Sequence, residues 1–406
     1  MSDTATIAPR SPASALPSDN PFQRLAAVLE GITPGADPIV MTIGEPRHPI
    51  PGFTGEVLQA HLAEFSRYPA ITGTEDFRAA AAAWLDARYR LGGALPASKG
   101  VVALNGSREG LTFAALGARD YFAKTDARPA VLMPNPFYQT YAAAAHVAGA
   151  EAVYLDAGPQ TGFLPDLDQL DPALLDRTVA FFLASPANPQ GAAVDLEMWS
   201  KLIELARRHR FLLIADECYS EIYRDTPPPG VLEAALAMGE GFANVLSINS
   251  LSKRSNLAGL RCGIAAGDPA FLTAWTRFRG LSAPQVSMPL QAVAAAAYRD
   301  EAHVEENRRL YNEKFAIAER ELAPLFGPVT PAGGFFLWLD VSRWGGGVTV
   351  SRRLWAEAGV KVLPGAFLSM DQPGGNPGEA YIRLALVDDA ATVEAGLACV
   401  LAVLGD

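Results

Sequence analysis

Cysteine is scarce: Cys218, Cys262 and Cys399 are the only three in a chain of 406 residues. That is too few for a disulfide framework at this length, and none stands in a paired metal-ligand spacing, so buried thiols are expected. The five histidines, His48, His61, His146, His209 and His303, form no HExxH or other clustered pattern, so no metal is expected. No apolar run approaches the roughly 18 residues a membrane helix needs, and the opening MSDTATIAPRSPASALPSDNP lacks a signal-peptide core. A basic surplus is missing too. The 33 Lys and Arg against 44 Asp and Glu give a formal charge of -11, which repels phosphate backbones and anionic lipid. The expectation is a cytoplasmic protein with neither nucleic-acid nor membrane partners. No GxGxxG follows an early strand, which counts against a nicotinamide dehydrogenase.

What is present is apolar content: half the residues, enough to bury a large core divided between two domains. Residues 1–20 are rich in Ser, Pro, Ala and Asp without periodicity and read as a mobile arm. Residues 21–48, with helical spacing at Phe22, Leu25, Ala26 and Leu29, a short strand at Ile39 to Ile43 and the start of the turn GEPRHPIPG, are expected as an N-terminal segment joining the small domain. From 49 to 288 the short apolar runs VVAL, AVLMP, AVYL, TVAFFLAS, FLLIADE, NVLSINS and GIAAG alternate with amphipathic segments. That alternation predicts a mostly parallel sheet covered by helices. One such helix is capped by Asp195, with Leu196, Trp199, Leu202, Ile203 and Ala206 as its stripe. From 289 to 406 long helices give way to the strands GFFLWLD and YIRLALV and a closing helix, a smaller α+β domain.

Several stretches carry chemistry. After a strand, SLSKRSNLAGLR places Ser250, Ser252, Lys253 and Arg261 in one turn, as a phosphate-bearing aldehyde cofactor requires. A lysine must shed its proton to attack an aldehyde, and burial beside another cation, Arg254 or Arg261, favours that. The two serines and the Arg261 fork suit a phosphate dianion. Alone, such a turn is more often a solvated loop. FLLIADECYSEIY delivers Asp216 at the carboxyl end of a strand, where open α/β sheets place ligand-binding groups. A carboxylate there can hold a pyridinium nitrogen protonated, whereas the plain alternative is a helix cap; Glu217 is the second choice. Tyr219 and Asn188, the latter from SPANPQG, can donate to a ring hydroxyl. NGSREG follows VVAL and opens a helix, so Gly106, Ser107 and Arg108 aim amides and the helix dipole at one spot. PNPFYQTY offers Phe137, Tyr138 and Tyr141 for stacking or for core packing. Arg383 sits inside the apolar strand YIRLAL, costly unless it meets a carboxylate, either a substrate's or an internal Asp or Glu.

NGSRE, PNPFY, SPANPQG, ADECYSEIY, SLSKRSNLAGLR and YIRLAL, in this order, resemble the class I/II aminotransferases of the fold type I pyridoxal-phosphate enzymes, from about Phe22 onward. The resemblance implies an α/β fold: a large domain with a mostly parallel seven-stranded sheet flanked by helices, plus the smaller α+β domain. It implies pyridoxal 5'-phosphate as cofactor, in Schiff-base linkage to Lys253, and amino acid and keto acid substrates. It puts Gly106, Ser107, Arg108, Ser250, Ser252 and Arg261 around the phosphate, Tyr138 on the ring, and Asn188, Asp216, Tyr219 and Lys253 in the rest of the cofactor site. It also implies a homodimer, with Tyr68 of SRYPAITG reaching the neighbouring subunit's phosphate. Gly44 of IGEP, Asn188 and Arg383 would meet the substrate. Within the family, PFQRL, PNPFYQTY and SLSKRSNLAGLR look most like the N-succinyl-diaminopimelate aminotransferases of bacterial lysine biosynthesis, which use glutamate as donor. The chain departs from that group's RSNxPGLRSG at Ala258 and Cys262. A succinylated substrate calls for one more cation, with Arg24, Arg47 and Arg108 as candidates. The alternatives are a broad-range aminotransferase, a β-eliminating lyase, or a non-catalytic protein of this fold, the last opposed by the retained lysine.

Overall fold

The computed structural model describes residues 20–124 and 127–405. Apart from Asn20, the expected N-terminal arm lies outside them. Twelve strands are present among the described residues: β1 (Ile39–Val40), β2 (Val101–Leu104), β3 (Ala130–Asn135), β4 (Glu151–Asp156), β5 (Thr178–Ala184), β6 (Leu212–Asp216), β7 (Val245–Ser250), β8 (Gly263–Gly267), β9 (Phe336–Asp340), β10 (Val360–Lys361), β11 (Leu363–Pro364) and β12 (Tyr381–Ala385).

Seven strands form one sheet in the order β2-β8-β7-β6-β5-β3-β4. Only β8 runs against its neighbours; every other pairing is parallel. The apolar runs are continuous because this sheet is covered on both faces. One face packs Leu132, Phe181, Leu213 and Val245 against helices that supply Trp84, Trp199 and Ile203. The other packs Val131, Phe182, Ile214 and Leu246 against Leu111, Tyr141 and Trp275.

The helix Leu196–His209 begins as its sequence predicts, with Asp195 Oδ1 accepting from the Met198 amide at 2.8 Å and Trp199, Leu202, Ile203 and Ala206 buried. Asp195→Ala is expected to cost about 1 kcal/mol, read as a lower urea midpoint at unchanged slope.

The C-terminal part builds a second core around the antiparallel sheet β11-β12-β9, with Leu337, Ile382, Leu384, Val393 and Leu397 among its members. The strand β1 joins it by pairing with β10, so the N-terminal segment reaches this unit. The helix Met288–Arg299, which sequence pattern counts with the C-terminal unit, buries Val293, Ala294, Ala297 and Tyr298 in the first core. Its apolar face is completed by Phe77 and Trp84 of the helix Glu75–Tyr89, contacts that local pattern does not specify. Between the two cores, Tyr219 and Ile222 of one part pack with Tyr311, Phe335 and Phe336 of the other. No described helix is long and apolar enough to cross a membrane.

Candidate active site

The carboxyl ends of β2, β3, β5, β6 and β7 share one edge of the large sheet, and most of the residues singled out by sequence follow those ends. A cavity of about 240 Å³ there is lined by Gly44, Ser107, Arg108, Tyr138, Asn188, Asp216, Tyr219, Lys253 and Arg383. A contiguous space of about 380 Å³ adds Glu45, Ser250, Ser252 and Arg261.

Asp216 ends β6 and is buried. Its Oδ2 accepts from the Tyr141 hydroxyl at 2.8 Å and its Oδ1 from the Cys218 amide at 3.3 Å. Burial pushes its carboxyl pKa up, against the pull of these hydrogen bonds and of Lys253. Glu217 faces away, accepting from the Val231 amide at 2.8 Å and from Ser247, and burial pushes it up to about 6. Of the two carboxylates, only Asp216 lines the cavity.

Lys253 stands on the single helical turn Leu251–Arg254, with Ser250 as its cap. Burial lowers the pKa of its amine; Cys218 and Asp216 oppose this, and Arg261 adds to it. Of the two candidate cationic neighbours, Arg254 is turned away: it ion-pairs with Glu301, donates to the Ala297 carbonyl at 2.7 Å and lies over Trp84. No side-chain hydrogen bond holds the Lys253 amine among the described residues.

Gly106 precedes the helix Ser107–Phe122 with φ of 85°, and a Cβ there would collide with the Arg261 guanidinium. The missing side chain brings that cation and the helix N-terminus to one place, a cradle for an anion. Glu109 is engaged elsewhere, bonded to Arg279 at 3.1 Å and to the Asn105 amide. Ser250 Oγ and Ser252 Oγ lie 3.0 Å apart on the same wall.

Arg383, 4% exposed in mid-β12, answers the question its sequence raised. Among the described residues no Asp or Glu pairs with it. It donates to Asn188 Oδ1 and to the Thr42 carbonyl, both at 2.9 Å, while its Nε has no partner. Burial pushes it down to about 10. A buried guanidinium with an unused donor at a cavity wall has the chemistry to receive a carboxylate. Gly44 lies close enough to Phe336 that a Cβ would overlap the ring.

Tyr138 lines the cavity and its hydroxyl accepts from Arg108 Nε at 3.1 Å. Sequence reasoning left Tyr141 open as a stacking ring; it serves instead as the donor to Asp216, stacked on Phe182 at 4.6 Å. Cys218 and Phe336 also line the cavity, and the sequence pattern singles out neither. The two-residue offset of Cys218 from Asp216 on the strand's exit was the available signal. Tyr68 does not line this cavity and is 99% exposed.

An aldehyde needs an amine, a pyridine nitrogen needs an acid and a phosphate needs a cationic helix end; pyridoxal phosphate carries all three, and the residues fit it. The fold and site thus define a pyridoxal-phosphate enzyme. Residues 36–397 match the family aminotransferase class I and II, and the chain belongs to it. It is 30% identical over 364 residues to the LL-diaminopimelate aminotransferase of Maridesulfovibrio salexigens, covering 87% of this chain and 88% of that protein. It is 31% identical to the 4-dedimethylamino-4-oxo-anhydrotetracycline transaminase OxyQ of Streptomyces rimosus, over 89% of this chain and 91% of that one. A crystal structure of an aminotransferase from Neisseria meningitidis superimposes with a TM-score of 0.90 at 36% identity, covering 96% of this chain and 98% of that one. The chain is a pyridoxal-phosphate-dependent aminotransferase, acting on amino acids and keto acids.

Proposed function

We propose that this aminotransferase moves an amino group from glutamate to N-succinyl-2-amino-6-ketopimelate, on the route to diaminopimelate and lysine in the cytoplasm. The observation that carries the reading is Arg383, a buried cation without a protein carboxylate, in one cavity with Lys253 and Asp216. When bound, pyridoxal phosphate supplies a sink for the electron pair left as the substrate loses its α-proton. Lys253 would tether the cofactor and, freed by the incoming amine, would accept the substrate α-proton at Nζ and give it up again. Asp216 keeps the ring nitrogen protonated, with Tyr141 fixing the carboxylate. Asn188 and Tyr219 would donate to the ring hydroxyl and Tyr138 would offer its ring for stacking. Gly106, Ser107, Arg108, Ser250, Ser252 and Arg261 gather around the phosphate. Arg383, steadied by Asn188, grips the α-carboxylate of both substrates beside Gly44.

Of the three candidate cations for a distal carboxylate, Arg47 is ion-paired with Asp388 and Arg24 lies over the Phe367 ring at 4.2 Å. Arg108 alone of the three lines the cavity, where it is already assigned to the phosphate, so none of them is left as a dedicated cation for a distal carboxylate. In the homodimer we assign Tyr68 to the partner's phosphate, supported by its exposure beside exposed Leu62 and Phe65; light scattering should then give a dimer mass. A second reading, action on unsuccinylated LL-diaminopimelate, is favoured by the 30% identical relative of that name.

Holoenzyme supplied with glutamate is expected to lose its visible cofactor band and to regain it with the succinylated keto acid. Recovery only with the unsuccinylated compound would select the second reading. Arg383→Lys is expected to raise the glutamate KM about tenfold or more, because an ammonium cannot reproduce the two-pronged grip. An unchanged KM would remove Arg383 from the substrate site.

A further inference from the structure

Two segments far apart in sequence meet behind Lys253. The turn Leu251–Arg254 is too short for its last carbonyls to find amides of their own. Asn307, buried on the helix Ala302–Phe326, supplies the donor: its Nδ2 bonds the Lys253 carbonyl at 3.0 Å and the Arg254 carbonyl at 3.4 Å. Its Oδ1 then faces the other way, where His48 Nδ1 lies 2.7 Å off. An amide oxygen only accepts, so the His48 ring must carry its proton on Nδ1.

The same ring packs on Tyr311, with centroids 4.4 Å apart. Tyr311 stacks on Phe335 at 5.3 Å, and the Phe335 ring centre is 5.9 Å from Lys253 Nζ. Two routes therefore run from one histidine to the two ends of the lysine. His48 also shares a short loop with Gly44 and Glu45, which line the cavity, and its neighbour Arg47 is fastened to Asp388 just beyond β12.

We propose that His48 is a positioning residue for the lysine: by fixing the Asn307 amide, it holds the Lys253 main chain in register with the substrate-facing Gly44 loop. This rests on Lys253 being the cofactor-bearing amine. The His48 hydrogen bond, rather than ring packing alone, makes loop and lysine one unit.

The test compares two variants of the holoenzyme. His48→Phe keeps a ring against Tyr311 and removes the donor; His48→Asn keeps an N–H near the Nδ1 position and removes the ring. His48→Phe is expected to shift the pH midpoint of the cofactor's visible absorbance by about half a unit or more. It should also lower kcat/KM about tenfold to a hundredfold, as small misplacements of reacting groups do, without loss of the folded state. His48→Asn should recover most of both. An unshifted midpoint in His48→Phe, or equal damage in the two variants, overturns the proposal. Asn307→Ala gives a second arm: added to His48→Phe it should bring little further loss, and fully additive losses overturn the proposal as well. If Lys253→Ala kept the visible band, the reading of Lys253 itself would fail, so the two failures are told apart.

Discussion

Lys253→Ala is expected to lower kcat by about four orders of magnitude or more, since it removes the cofactor's tether and the group that moves the α-proton together. Lys253 is the one lysine among the residues lining the cavity. Burial favours its neutral form, and Arg261 acts in the same direction. The neutral amine is the form able both to join an aldehyde and to accept a proton. Single-turnover mixing with glutamate is the measurement. A variant that still converted glutamate within about tenfold of the unaltered rate would put the proton carrier elsewhere.

Asp216→Asn should cost about two to three orders of magnitude in kcat, with faster loss of cofactor, because a neutral amide cannot stabilise a protonated ring nitrogen. The substitution keeps the shape and leaves an oxygen for the Tyr141 hydroxyl, while the Cys218 amide loses its acceptor along with the charge. Asp216 also predicts a pH effect in the cofactor-free protein. Its pKa is raised by burial. The folded state thus binds the proton more tightly than the unfolded chain, and the associated stability is present below the ordinary carboxylate range and lost as pH rises through the raised value. Melting temperatures of cofactor-free protein should fall through that window in the unaltered chain and fall less in Asp216→Asn. Equal slopes would show that Asp216 does not carry the effect.

Much of this was legible because strand ends announce themselves. An apolar run closing on Asp216, or on Ser250 with Lys253 beyond it, says which edge of a sheet a side chain occupies before any packing is known. Arg383 was legible for the opposite reason, a charge where only apolar residues belong. What stayed hidden depends on rotation and partnership. PNPFYQTY presents three rings, and only the docking of the helix Gln139–Val147 on the sheet decides that Tyr141 reaches Asp216. Arg254 and Arg261 look alike in sequence, yet the first is drawn off by Glu301 and Trp84. The alanine-rich helix Met288–Arg299 advertises close packing without naming its partner. His48 and Asn307, 259 residues apart, carry no mutual signal at all.

The order of synthesis gives the position of β12 a further meaning. Lys253, Asp216 and the helix end at Ser107 belong to the part of the chain that builds the seven-stranded sheet, whereas Arg383 lies on β12, after it in chain order. On the proposed assignment, a chain that ends after the seven-stranded sheet contains Lys253, Asp216 and the cradle of Gly106 and Arg261 but lacks Arg383. The groups proposed to hold the cofactor therefore precede in the chain the arginine proposed to hold the amino acid, and a chain cut before β12 would lose that arginine while keeping Lys253.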